Sequence, residues 1–192
     1  MITPDKTTLG RKSVLVGIFR IARGRADGFA LFGDSPQAFL SSLAPLIAFP
    51  VVGGVLMLLG GGGMRAIGDL LATICALLAP PVFSFTLAKA WGREAAWPRY
   101  AVAFNWCQWA LPVVGCIMLV LLAFAMASGL PQRTASEAFI MGLGAYGLWL
   151  HWFLVRRGLS LSIIRSILFV VAINLATIFL VIGPRLLAMD RG

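Results

Sequence analysis

The sequence predicts an all-α, polytopic membrane protein with five transmembrane helices and an N-terminal amphipathic interfacial helix. Three observations carry that reading. Sixty per cent of the 192 residues are apolar or aromatic, against about 45–50% in ordinary domains, and a soluble chain of this size leaves too much surface wet to hide them. Only 12% are charged, about half the usual share. The apolar residues gather in five blocks near the roughly 20 residues that cross about 30 Å of hydrocarbon, and none alternates as a transmembrane β-strand would. An ordinary soluble globule, a disordered chain and a nucleic-acid-binding module are thereby excluded.

Residues 1–34 form a segment ahead of the spans, and residues 35–192 form the transmembrane domain. Within the first segment Val14, Leu15, Ile18, Phe19 and Ala22 share one helical face. Lys12, Arg20, Arg23 and Arg25 lie mostly elsewhere. The run is too short to span, so the expectation is a helix in the interface with those four cations on anionic lipid headgroups. Docking on the bundle's own face is the alternative. The short, charged run lacks a small-residue cleavage site, so a cleaved signal peptide is not expected.

The spans are expected at about 39–59, 70–90, 101–127, 138–155 and 161–182. Ser35 caps the first, with Pro36 in its first turn, where a missing N–H costs nothing. Residues 60–63, all glycine, stop it. Pro98 opens the third. Thr134 and Glu137 have the spacing of a capping box for the fourth. Gly158 ends the fourth, Ser160 caps the fifth, and Pro184 stands where the fifth should stop.

Basic residues divide unevenly across these spans. Lys6, Arg11, Lys12, Arg20, Arg23, Arg25, Lys89, Arg93, Arg99, Arg156, Arg157 and Arg165 fall on one side, and Arg65, Arg133, Arg185 and Arg191 on the other. The positive-inside rule then puts the N-terminus in the cytoplasm and the C-terminus outside. The formal net charge of +9 is thus read as orientation against a membrane rather than affinity for nucleic acid. Thirteen of the sixteen cations are arginine, a composition common in GC-rich bacteria, so a bacterial cytoplasmic (inner) membrane is expected.

Intramembrane polar residues are where chemistry is sought, because each is costly in hydrocarbon. No Asp or Glu falls in the middle of a span, which argues against ion-coupled transport and against paired-carboxylate catalysis. Asn105, Gln108, His151 and Arg165 all fall near the basic end of their spans and are expected to meet as one polar cluster. Gly144 and Gly147 share the His151 face and mark it as inward. The favoured reading is structural: Arg165 snorkels and the others make interhelical hydrogen bonds. The functional reading is a headgroup or substrate pocket open to the cytoplasm. Asn174, alone and deeper, is expected to make an interhelical hydrogen bond.

Pro45, Pro50, Pro80, Pro81 and Pro112 interrupt helices. Pro80 and Pro81, two missing donors in succession, are the candidate break. Trp91, Trp97, Trp106, Trp109, Trp149, Trp152 and Tyr100 fall near the basic boundary and read as an aromatic belt. Cys75, Cys107 and Cys116 form no C-x-x-C pair, so neither a disulfide framework nor a metal site is expected. No cofactor is expected, and no catalytic set is found.

Five short-looped spans after an N-terminal segment resemble the Yip1-type family of membrane proteins. The features that carry this are Asp34-Ser35-Pro36 before a proline-bearing first span, and the basic loop around Arg93 and Arg99. The resemblance is of architecture, over about residues 35–187, and implies no functional residue. The leading expectation is a non-catalytic accessory subunit, assembly factor or scaffold, not an enzyme, with a membrane-protein partner or as a homo-oligomer. The alternative is a small transporter or lipid- or solute-handling protein built on the polar cluster and the Pro80-Pro81 break.

The orientation is testable by cysteine labelling. With the three native cysteines replaced, a membrane-impermeant thiol reagent should modify Arg133→Cys in intact cells and Arg93→Cys only after lysis; the reverse pattern inverts the topology.

Overall fold

The computed structural model describes the backbone of residues 6–189, and the side chains of residues 13–64 and 66–180. Seven α-helices run in order: α1 (Lys6–Ala22), α2 (Pro36–Leu59), α3 (Gly63–Ala90), α4 (Trp97–Cys107), α5 (Ala110–Ala127), α6 (Gln132–Gly158) and α7 (Ile163–Met189). A 3₁₀ turn, Ala26–Leu31, joins α1 to the bundle. No strand occurs among the described residues. Five segments are long and apolar enough to cross a membrane, with α4 and α5 together making the third.

Several ends form for the expected reasons. Ser35 Oγ accepts from Ala38 N–H at 3.2 Å, and Pro36 opens α2. Pro98 lies in the first turn of α4. Gly60 caps α2. α6 does run to Gly158, but its cap is Leu159 and the left-handed residue beyond it is Ser160 rather than a glycine. Other ends differ. α3 starts at Gly63, well before the expected 70. α6 starts behind Pro131 without a side-chain cap. Glu137 does not close a capping box with Thr134; it pairs with Arg133 at 2.8 Å, one turn away. Ser162, not Ser160, serves α7, accepting from Arg165 N–H at 3.4 Å. α7 continues past Pro184 to Met189.

The principal difference is in the third span. A single helix over 101–127 is expected, but regular helix stops at Cys107 and resumes at Ala110. Pro112 supplies the cause. It has no N–H for the Gln108 carbonyl, four residues back, and its ring crowds that carbonyl. The chain tightens instead: Trp109 N–H reaches Trp106 O at 3.2 Å, and Leu111 N–H takes the Gln108 carbonyl at 3.2 Å. The break proposed for Pro80 and Pro81 is absent, since α3 runs through both.

After the break the span changes neighbours. α4 packs chiefly on α2, α6 and α1, whereas α5 packs chiefly on α6. α4 is buried from Tyr100 to Asn105. Around it close Ile21 of α1, Phe29 of the 3₁₀ turn and Phe32 just after it, Leu154 of α6 and Phe169 of α7. The remaining length of the bundle is sparsely packed: no spanning window is more than 22% buried. Lipid is as apolar as Leu, so helices gain little by hiding apolar side chains from it. Burial is rewarded near water, and the core sits at the basic end.

The aromatic residues belong to this core more than to a belt. Tyr100 is fully enclosed and meets Phe169 edge-on at 6.1 Å. Trp97 lies between Phe39 and Phe85 and donates to Ser84 Oγ at 3.0 Å.

Asn105 joins α4 to α2, donating to Ser42 Oγ at 2.9 Å, and Ser42 donates on to Phe39 O at 2.7 Å. Both side chains are fully buried. A double-mutant cycle of Asn105→Ala and Ser42→Ala should yield a coupling of about 1 kcal/mol, read from unfolding in mixed micelles; additivity would remove this bond from the account of the core.

Candidate functional site: a polar-floored cavity at the helix break

The expected cluster of Asn105, Gln108, His151 and Arg165 does not form as one. Asn105 is turned to α2 and committed to Ser42. Arg165 is exposed near the start of α7. Gln108 and His151 do converge, and Asn174 and Thr177 of α7 join them around a cavity of about 600 Å³. The helix break puts Gln108 there, and Pro80 forms part of the wall.

His151 is held by two neighbours. Its ring lies 5.0 Å from that of Phe104, and its Nδ1 is 3.4 Å from Asn174 Nδ2. The orientation of the Asn174 amide follows from its other contact. Nδ2 donates to Val170 O at 2.8 Å, and a carbonyl facing that oxygen would repel it. The second amide proton is therefore left for His151 Nδ1, which accepts it, so the ring proton lies on Nε2. Nε2 is buried and has no partner among the described residues. The Gln108 side-chain amide also makes no hydrogen bond among them.

The rest of the cavity is apolar, with Phe139 and Leu143 of α6 and Leu111 of α5 among its walls. No Asp, Glu, Lys or Arg lines it. Gly144 also lines it, and a Cβ there would meet nothing within 4 Å, so a larger side chain could enter the space. Ile140 and Leu148, one turn to either side, are 70% and 57% exposed, so the cavity reaches the flank of the bundle. Sequence reasoning set Asn174 apart from the cluster and passed over Thr177. Their i, i+3 spacing on one face of α7 was the available signal.

The N-terminal cations are arranged differently from the expectation. α1 docks on the bundle: Ile21 is fully buried and Tyr146 donates to Ala22 O at 3.1 Å. Leu15 and Phe19 remain exposed. Arg20 and Arg25 both bind Asp27, at 3.2 and 2.9 Å. The Arg25 hydrogen bond, aided by the charges of Arg25 and Arg20, holds the Asp27 carboxyl below its ordinary range. Arg23 lies over the Phe19 ring at 3.8 Å. The Lys12 side chain lies outside the described residues.

The fold defines the class: an integral membrane protein of five apolar spans. No protein-family model, curated protein or solved structure matches the chain.

An orphaned donor is a cost to the empty protein. His151→Met removes that donor and also the acceptor of the Asn174 amide proton; with the two effects opposed and the volume roughly kept, stability should change by no more than about 1 kcal/mol, measured by thermal unfolding in detergent. A loss of several kcal/mol would mean that His151 holds the helices together.

Proposed function

We propose that this protein binds an uncharged amphiphile inside the bilayer, the lipid- or solute-handling alternative of the sequence reading. The single observation that carries the proposal is that His151, one of the residues lining a laterally reaching cavity, has a buried Nε2–H without an acceptor among the described residues. A carbonyl, ether or hydroxyl oxygen satisfies that donor, and the Gln108 amide offers further donors beside it. The apolar walls accept a hydrocarbon chain. A lining free of charged side chains offers no counter-ion to an ionised head, which would be costly to desolvate there. No covalent step is proposed, and the role is non-catalytic.

A separate observation supports the accessory-subunit reading. An apolar groove of about 680 Å³ runs between α1, α2 and α5, walled by Leu15, Pro45 and Pro112 among others. Trp109 borders it, and its Nε1–H is buried without an acceptor among the described residues. A helix of a membrane-protein partner, or of a second copy, fits such a groove. Under either reading the basic end faces the cytoplasm, as the positive-inside rule implies, and the Yip1-type likeness rests on five spans behind an N-terminal segment.

Native mass spectrometry of the full chain, gently extracted from its own membrane, tests both readings. The amphiphile reading expects a retained neutral lipid-like mass that is lost in Gly144→Phe, which fills the cavity, and reduced about tenfold in occupancy in His151→Met, for one hydrogen bond removed. Retention unchanged in both variants overturns it. A protein partner at fixed stoichiometry, released by Val113→Arg in the groove, would carry the accessory reading instead.

A further inference from the structure

We propose that the α6–α7 connection and the 3₁₀ turn Ala26–Leu31 together form a phosphate-binding site, independent of the central cavity. A concavity of about 410 Å³ lies between them, lined by Ala26, Phe29, Arg156, Arg157, Ser160 and Leu161. Neither arginine has an acidic partner among the described residues. Arg156 rests over the Trp152 ring at 5.1 Å, which steadies its stem. Arg157 is exposed.

Ser160 supplies the second, independent observation. Its φ is 52°, and it is the one non-glycine residue in the left-handed region among the described residues. That conformation is strained for a residue with a Cβ, and glycine would adopt it freely. Glycine occurs two residues earlier instead, at Gly158, where a Cβ would come within 3.0 Å of Phe29 and 3.1 Å of Tyr100. Close packing explains that glycine. At residue 160 the fold keeps the strain and keeps a hydroxyl, which is exposed and makes no hydrogen bond among the described residues.

A strained hydroxyl beside two unpaired guanidinium groups suits phosphate. Each guanidinium presents a planar fork to two oxygens, and the hydroxyl supplies a further donor. The carboxylate of the 3₁₀ turn does not compete, because Asp27 is held by Arg20 and Arg25. The site lies where α6 ends and α7 begins, at the shared end of two apolar spans, so its phosphate belongs to a lipid headgroup or to a phosphorylated solute.

The full chain in neutral detergent is titrated with dihexanoyl phosphatidic acid, with inorganic phosphate and with dihexanoylglycerol as the uncharged control. Saturable binding of phosphatidate alone assigns a lipid headgroup, and equal competition by inorganic phosphate assigns a free phosphorylated solute. Arg157→Gln should weaken binding about tenfold, while Arg93→Gln, a cation outside the concavity, should alter it by no more than about twofold. Ser160→Gly separates function from structure: it should raise the unfolding temperature without phosphate and weaken phosphate binding. A higher unfolding temperature with unchanged affinity, equal affinity in Arg157→Gln, or no saturable binding of either phosphate compound overturns the proposal.

Discussion

Pro112 has no amide proton, and much of the architecture depends on that absence. A continuous helix through residues 97–127 would carry one set of neighbours along its length. Releasing the Gln108 carbonyl divides the span into two helices with separate partners. α4 becomes the element on which α1, α2, α3 and α6 pack, and α5 remains a peripheral span beside α6. The same break leaves the Gln108 side chain on the wall of the central cavity. Buried hub and polar wall are therefore two results of one proline.

The distribution of packing follows the solvent. Apolar side chains facing hydrocarbon are already in an apolar medium, and the bulk of each span is left exposed. The enclosed residues collect at the basic end, where helix ends, the 3₁₀ turn and α1 meet water. Hydrogen bonds between side chains take over part of the work deeper in: Asn105 with Ser42, and Asn174 with His151. Such bonds are worth more in specificity than in energy, because alternatives in lipid are few and a polar group left alone is expensive.

The apolar spans were legible in composition and run length, and several caps in single residues such as Ser35 and Gly60. Pro112 reads as one of five interrupting prolines, but nothing in the sequence marks it as the one whose helix actually stops. Pro80 and Pro81 drew attention as a pair, yet α3 absorbs both. Ser160 reads in sequence as the cap of the last span, but it takes the left-handed turn beyond α6, and Ser162 accepts from the first turn of α7 instead. For the site, residue depth was readable and rotational phase was not. Asn105 and Gln108 were expected in one cluster, but regular helix ends at Cys107, between them, and they serve different neighbours. Arg165 had the right depth and the wrong phase. Asn174 supplied what Arg165 did not.

The ring contact between Tyr100 and Phe169 has a consequence for biogenesis. The hub helix leaves the ribosome well before α7, and at about 5–20 residues per second several seconds separate the two. Through that interval α2 and α3 can enter the bilayer as one hairpin and α5 and α6 as another, while Tyr100 waits without its lid. The nascent chain is therefore inserted before it is assembled, and α7, made well after the hub helix, completes the core of the first half.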